Sequence, residues 1–199
     1  TVRPHLLPMA IPAASVVVLW KILFDSHGFV NSAIHALSGM SGIGQILNVL
    51  LVQEVDWMNT DAAFGILVFS YVWKYLGYDI VLWMAGLSAI PQGIYEAADM
   101  DGANEIVKFF KLTIPFLSPT TFFLVITNII TSFQVFAPIQ IMTRGGPGTS
   151  TYVLVYYIYR SAFGYYKMGY ASAMAWILFI LIFIVTKIQW RGQKRWVSY

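Results

Sequence analysis

The chain has 199 residues, of which 58% are hydrophobic and 11% charged, with a net charge of +3 and a mean hydropathy of +0.68. Soluble domains carry about 25% charged residues, so a soluble fold of this size would be left with a largely apolar surface, and that class is excluded. Basic residues are dispersed rather than clustered, which excludes a nucleic-acid-binding patch, and the lack of cysteine excludes disulfides, thiolate catalysis and cysteine-held metals.

Apolar stretches of roughly 20 residues match the thickness of a bilayer's hydrocarbon, and four are predicted in chain order. The first covers residues 6–24, with Pro8 and Pro12 near its start, where proline is best tolerated. The preceding TVRPHLLPMAIP start has no apolar run followed by a cleavage site, so no signal peptide is expected. It also has no initiating Met, so the chain is expected to be a fragment. Glycine turns and short apolar pieces between residues 25 and 60 predict short helices at the membrane interface. The second span, residues 62–90, contains Lys74 and Asp79. The third covers 118–142, with Pro119 near its first turn, and the fourth covers 168–190. Between these two, Gly145-Gly146-Pro147-Gly148 reads as a turn, and the aromatic-rich segment from Tyr152 to Phe163 reads as a helix lying at the interface. His5, His27 and His35 have no supporting ligand cluster and read as ordinary loop residues.

Lysine and arginine counts set an expected orientation. Arg3, Lys108, Lys111, Lys187, Arg191, Lys194 and Arg195 lie on one side, against Arg144, Arg160 and Lys167 on the other. The richer side, which holds the connector between the second and third spans and the carboxyl tail, is predicted to be cytoplasmic.

That connector, EAADMDGANEIVKFFKLTIP, is longer and more patterned than a tether needs to be. It reads as an acidic helix after Pro91, a reorientation at Gly102, and a second helix from Asn104 to Leu112 with Val107, Phe110 and Lys111 on one side. Ala97 and Ala98 would let another backbone approach closely. The segment resembles the EAA motif of permease subunits of bacterial ABC importers, EAA-x3-G-x9-I-x-L-P. Glu96, Ala97, Ala98, Gly102 and Pro115 fall at the motif's spacing, with Leu112 and Ile114 in exchanged order. The resemblance covers essentially the whole chain. Leu117 to Phe123, Thr143-x-Gly145-Gly146-Pro147, Thr151, Tyr157-Ile158-Tyr159, Ala162-Phe163, Gly169-Tyr170-Ala171 and Arg195-Trp196-Val197-x-Tyr199 are similar to segments of carbohydrate-type permeases. Ala137 departs from that pattern, which would have an acidic residue after Phe136.

The resemblance implies an all-α, multi-span membrane bundle of the type I importer kind, a single permease domain holding the last four of six spans. The connector, about residues 91–116, would be the coupling loop that docks into an ATP-binding subunit through Glu96, Ala97, Ala98, Gly102, Leu112, Ile114 and Pro115. The implied partners are a dimer of ATP-binding cassette subunits, a second permease subunit and an extracytoplasmic solute-binding protein. The chain carries no G-x-x-x-x-G-K-[ST] run, so ATP is expected on the partner, with no cofactor held here.

Ionisable and amide side chains at membrane depth usually face a bundle interior or a watery path. Asp79, Asn128, Thr131 and Gln134 are candidates for a solute path. Thr127, Thr131, Gln134 and Pro138 recur at helical spacing, as a sugar's hydroxyls would require. Hydrogen bonding between helices is the alternative reading of the same residues, and Lys74 reads more readily as a structural or snorkelling side chain. The function implied is a permease for a sugar, oligosaccharide or polyol. Its rivals are a permease for a non-sugar solute, a non-transporting scaffold and a membrane enzyme. The enzyme reading is weakened by the absence of HExxH, GxSxG and cysteine.

Overall fold

The computed structural model describes residues 11–38 and 55–196. Those residues form helices and the turns between them, and three of the helices are long and apolar enough to cross a membrane. The predicted first span is described from residue 11 onward. It appears as α1, Ala13–Leu23, which follows Pro12 and buries Val16 and Val17. Two edge-on ring contacts fix it to the next span: Trp20 against Phe69 at 5.2 Å and against Trp73 at 5.5 Å. Helix α2, Phe29–Ser38, follows. Asn31 anchors it by donating to the carbonyls of Ser26 and Val55 at 2.7 and 2.9 Å, while the Trp57 indole donates to the Asn31 amide oxygen at 2.8 Å.

Helix α3, Ala62–Ser88, matches the predicted second span. At about 1.5 Å per residue it is some 40 Å long. Helix α4, Gln92–Met100, is the first arm of the connector. The second arm corrects the sequence reading. The helix expected from Asn104 to Leu112 does not stop before the third span. It continues through it as one helix, α5, Glu105–Phe133. Pro115 and Pro119, expected to punctuate re-entry into the membrane, are absorbed. A wider turn, Phe109–Thr113, precedes Pro115, with the Ile114 N–H bonding to the Phe109 carbonyl. Pro119 cannot donate to the Pro115 carbonyl one turn back, and the Ser118 hydroxyl donates to it instead, at 2.6 Å.

The far end of the third span is also corrected: α5 ends at Phe133, not near residue 142. Gln134 bonds back to Thr131, Val135 and Phe136 are irregular, and a separate wide turn, Ile139–Thr143, follows. Pro138 accounts for the break, because it offers no N–H to residue 134 and its ring crowds that carbonyl. Helix α6, Leu154–Tyr159, extended by a wide turn over Arg160–Gly164, falls within the aromatic-rich segment predicted to be helical. Helix α7, Met168–Trp196, is the last span and packs on α6 and α5. A small apolar core of Val17, Met58, Ile66, Leu67, Ile139, Met142 and Tyr156 joins the elements at the loop end.

Candidate functional site

The connector is a braced bend. Helix α4 closes with two reversed hydrogen bonds, Ala103 N–H to the Ala98 carbonyl and Gly102 N–H to the Asp99 carbonyl, both at 3.0 Å. That pair of bonds requires a left-handed residue at position 102, and Gly102 supplies it with φ of +74°. Asn104 then starts α5 by accepting the Val107 N–H at 2.8 Å.

Lys108 reaches back across the turn to the Asp99 carboxylate at 2.6 Å and also holds Glu105 at 2.5 Å. Among the described residues it is the only charged side chain that is buried. A second tie, between the Tyr95 and Thr113 hydroxyls at 2.9 Å, joins the arms farther from the turn. Glu96, Ala97 and Gly102 are exposed, Ala98, Leu112 and Pro115 are half-buried, and Ile114 is exposed. Several apolar side chains also lie open on the connector: Met100 at 91% exposure, Ile106 at 69% and Phe110 at 63%.

The four solute-path candidates fall into two places rather than one. Thr131 and Gln134 line a cavity of about 290 Å³ between α1, α3 and the broken end of α5, together with Tyr71, Lys74, Tyr75 and Pro138. The Tyr71 and Thr131 hydroxyls bond at 2.8 Å. Asp79 and Asn128 meet nearer the connector, where the Asn128 amide donates to both carboxylate oxygens at 3.1 Å. They border a separate apolar cavity of about 260 Å³ that also contains Trp83 and Thr121. The helical stripe read from the sequence therefore divides. Thr127 bonds back to the Phe123 and Leu124 carbonyls and lines neither cavity.

Lys74 was read as structural. Its ammonium donates to the Ile11 carbonyl at 3.2 Å, and among the described residues it is the one charged side chain lining the larger of these two cavities. The signal for this was present on α3: Tyr71, Lys74, Tyr75 and Tyr78 recur at i, i+3, i+4 and i+7. Irregular backbone at membrane depth is tolerated where it is buried in protein or lines a cavity. Gln134, Val135 and Phe136 satisfy that condition here.

At the loop end, the residues of the Thr143–Thr151 segment form one knot. The Gly145 N–H donates to the Thr143 hydroxyl at 3.3 Å, Thr143 pairs with the Thr151 hydroxyl at 2.8 Å, and Thr151 donates to the Gly146 carbonyl at 2.8 Å. The Tyr156 hydroxyl closes it by donating to the Arg144 carbonyl at 2.8 Å, and burial raises that phenol above the ordinary tyrosine range.

Residues 5–197 match the family described as binding-protein-dependent transport system inner membrane component. The chain is 35% identical over 190 residues to the probable ABC transporter permease protein YesP of Bacillus subtilis, covering 94% of this chain and 57% of that one. It is 34% identical over 198 residues to the sn-glycerol-3-phosphate transport system permease protein UgpA of Yersinia pseudotuberculosis, covering 98% and 62%. The chain thus spans less than two thirds of the length of these curated relatives. A bacterial ABC transporter involved in the import of the acidic polysaccharide alginate shares the fold, with a TM-score of 0.78 at 23% identity, over 98% of this chain and 64% of that one.

Proposed function

Because the chain belongs to the family of binding-protein-dependent transport system inner membrane components, we propose that it works as a membrane-embedded permease subunit of an ATP-driven importer for a sugar, oligosaccharide or polyol. It moves solute by alternating access. The observation that carries this reading is mechanical continuity. The exposed apolar connector is tied to α5, and α5 runs unbroken from Glu105 to Phe133, where it borders a cavity lined by hydroxyl, amide and ammonium groups.

In this reading the connector and carboxyl tail face the cytoplasm. A dimer of ATP-binding subunits docks on Glu96, Ala97, Ala98, Gly102, Leu112, Ile114 and Pro115. Closure of that dimer displaces the connector, α5 moves with it, and the cavity opens to the opposite side. There an extracytoplasmic binding protein delivers solute to a path shared with a second permease subunit. Thr131, Gln134, Tyr71 and Tyr75 offer the donors and acceptors that hydroxylated solutes need. The Asp79–Asn128 pair holds α3 and α5 together beside that path.

A polyol phosphate is the second reading. The Lys74 ammonium in the cavity favours it, as does the solute named for the UgpA relative. Reconstitution of the full-length permease with its partner subunits tests both. Glu96→Ala and Gly102→Pro are expected to sever ATP hydrolysis from uptake. Normal uptake per ATP in both variants would refute the coupling reading. Gln134→Leu is expected to lower uptake roughly tenfold, the loss of one to two hydrogen bonds to solute, with ATP hydrolysis retained. Inhibition of uptake by sn-glycerol-3-phosphate, and its loss in Lys74→Met, would select the polyol phosphate.

A further inference from the structure

We infer that Lys108 is the strut that makes the two arms of the connector move as one body, so that displacement of α4 reaches α5 instead of being absorbed at Gly102. The inference rests on the coupling reading above. A glycine turn between two short arms is a hinge unless something crosses it. Gly102 sits at φ of +74°, and a Cβ added there would meet nothing within 4 Å, so the turn is open on that side. Without cross-ties, a push on α4 would change the angle between the arms and leave α5 where it was.

Beyond the backbone bonds that close α4, two side-chain ties cross the turn among the described residues. The inner one is Lys108 to Asp99 at 2.6 Å, and the outer one joins Tyr95 and Thr113 at 2.9 Å. Ties at two distances from a pivot fix its angle. Lys108 is suited to the inner position because one ammonium has three donors. It holds Asp99 on α4 and Glu105 on its own helix at the same time. Its burial sets it apart from Lys111, which lies one turn on, is exposed and is in no ion pair among the described residues. The carboxylates are the outward ends of the cluster, at 59% and 88% exposure. The charge is therefore clamped from the solvent side while its stem is covered, and salt screens it less than an open surface pair.

The test uses the complete transporter in proteoliposomes: the full-length permease, its ATP-binding and second permease subunits, and the binding protein. Lys108→Met is expected to assemble, to hydrolyse ATP, and to lose about tenfold in uptake per ATP, within the range that substitutions along a coupling network produce. Lys108→Arg is expected to stay within about threefold of the parent, since it keeps charge and reach, and Lys111→Met to be unchanged. The exchange of Asp99→Lys with Lys108→Asp is expected to recover part of the loss. Because this stretch has no cysteine, spin labels at Gln92 and Lys111 can report the angle between the arms. Their distance distribution is expected to be narrow in the parent and broad in Lys108→Met.

If Lys108→Met fails to assemble, Asp99→Asn removes the same tie and is measured in the same way. Unchanged uptake per ATP in an assembled variant lacking the tie overturns the inference, whatever the label distances show. If Glu96→Ala and Gly102→Pro uncouple while Lys108→Met and Asp99→Asn do not, the strut alone is wrong. If none of the four uncouples, the docking reading has failed with it.

Discussion

Pro119 deprives the Pro115 carbonyl of its helical donor, and the buried Ser118 hydroxyl replaces it at 2.6 Å. Ser118→Ala therefore leaves the carbonyl of the half-buried Pro115 without that bond. The expected cost is about 1–3 kcal/mol, read as a lower midpoint of thermal unfolding in detergent, with Ser118→Thr close to the parent. Gly145 presents a different constraint. Its φ is +90°, and an added Cβ would lie 2.3 Å from the Tyr152 ring. Gly145→Ala combines left-handed strain of about 1–2 kcal/mol with overpacking of about 1–3 kcal/mol, and the same thermal measurement is expected to show the larger loss.

At this scale the sequence was legible where a residue's chemistry is local. Gly102 was identifiable as a turn because only glycine takes that φ cheaply. Asp79 and Asn128 stood out as polar groups in apolar surroundings. Their pairing was not legible, because it joins positions 49 residues apart. Lys108 was hidden for a related reason: the partner that buries it lies on the other side of a bend.

Helix α5 is the element on which the sequence reading was least complete. Hydropathy marks where side chains turn polar, so it placed the start of the third span near Ser118. Backbone hydrogen bonding instead carries the helix back to Glu105, through a wide turn and two prolines. At the other end hydropathy continued into residues that Pro138 prevents from joining. An unbroken α5 makes its register decisive. One alanine inserted after Val125 turns everything beyond it by about 100° relative to the connector, carrying Asn128 away from Asp79 and Thr131 away from Tyr71. Uptake is expected to fall to background while ATP hydrolysis and assembly persist, as measured in the reconstituted transporter.

For the molecule as a whole, composition alone identified a membrane protein, and the apolar helices bear it out. What composition could not say is which faces meet lipid and which meet protein, because both are apolar. Helix α7 is the clearest instance. Trp176, Ile177, Phe179, Ile180, Phe183, Ile184 and Ile188 are all at least half exposed and together cover about half of its circumference. A charge on such a helix costs about 2.5–3.5 kcal/mol on insertion scales. Ile180→Asp is therefore expected to lower the amount of chain recovered in the membrane fraction, whereas Ile180→Leu leaves it unchanged.

The interruption after Phe133 also bears on how the protein is made. The end of α5 meets α3 at Tyr71, about 13 Å along α3 from Ala62, so the cavity that its irregular residues line is walled by helices α1 and α3, which left the ribosome earlier. The chain lays down the cover before the stretch that needs it, and a circular permutant translated from α5 onward would present bare backbone groups to lipid before their cover existed.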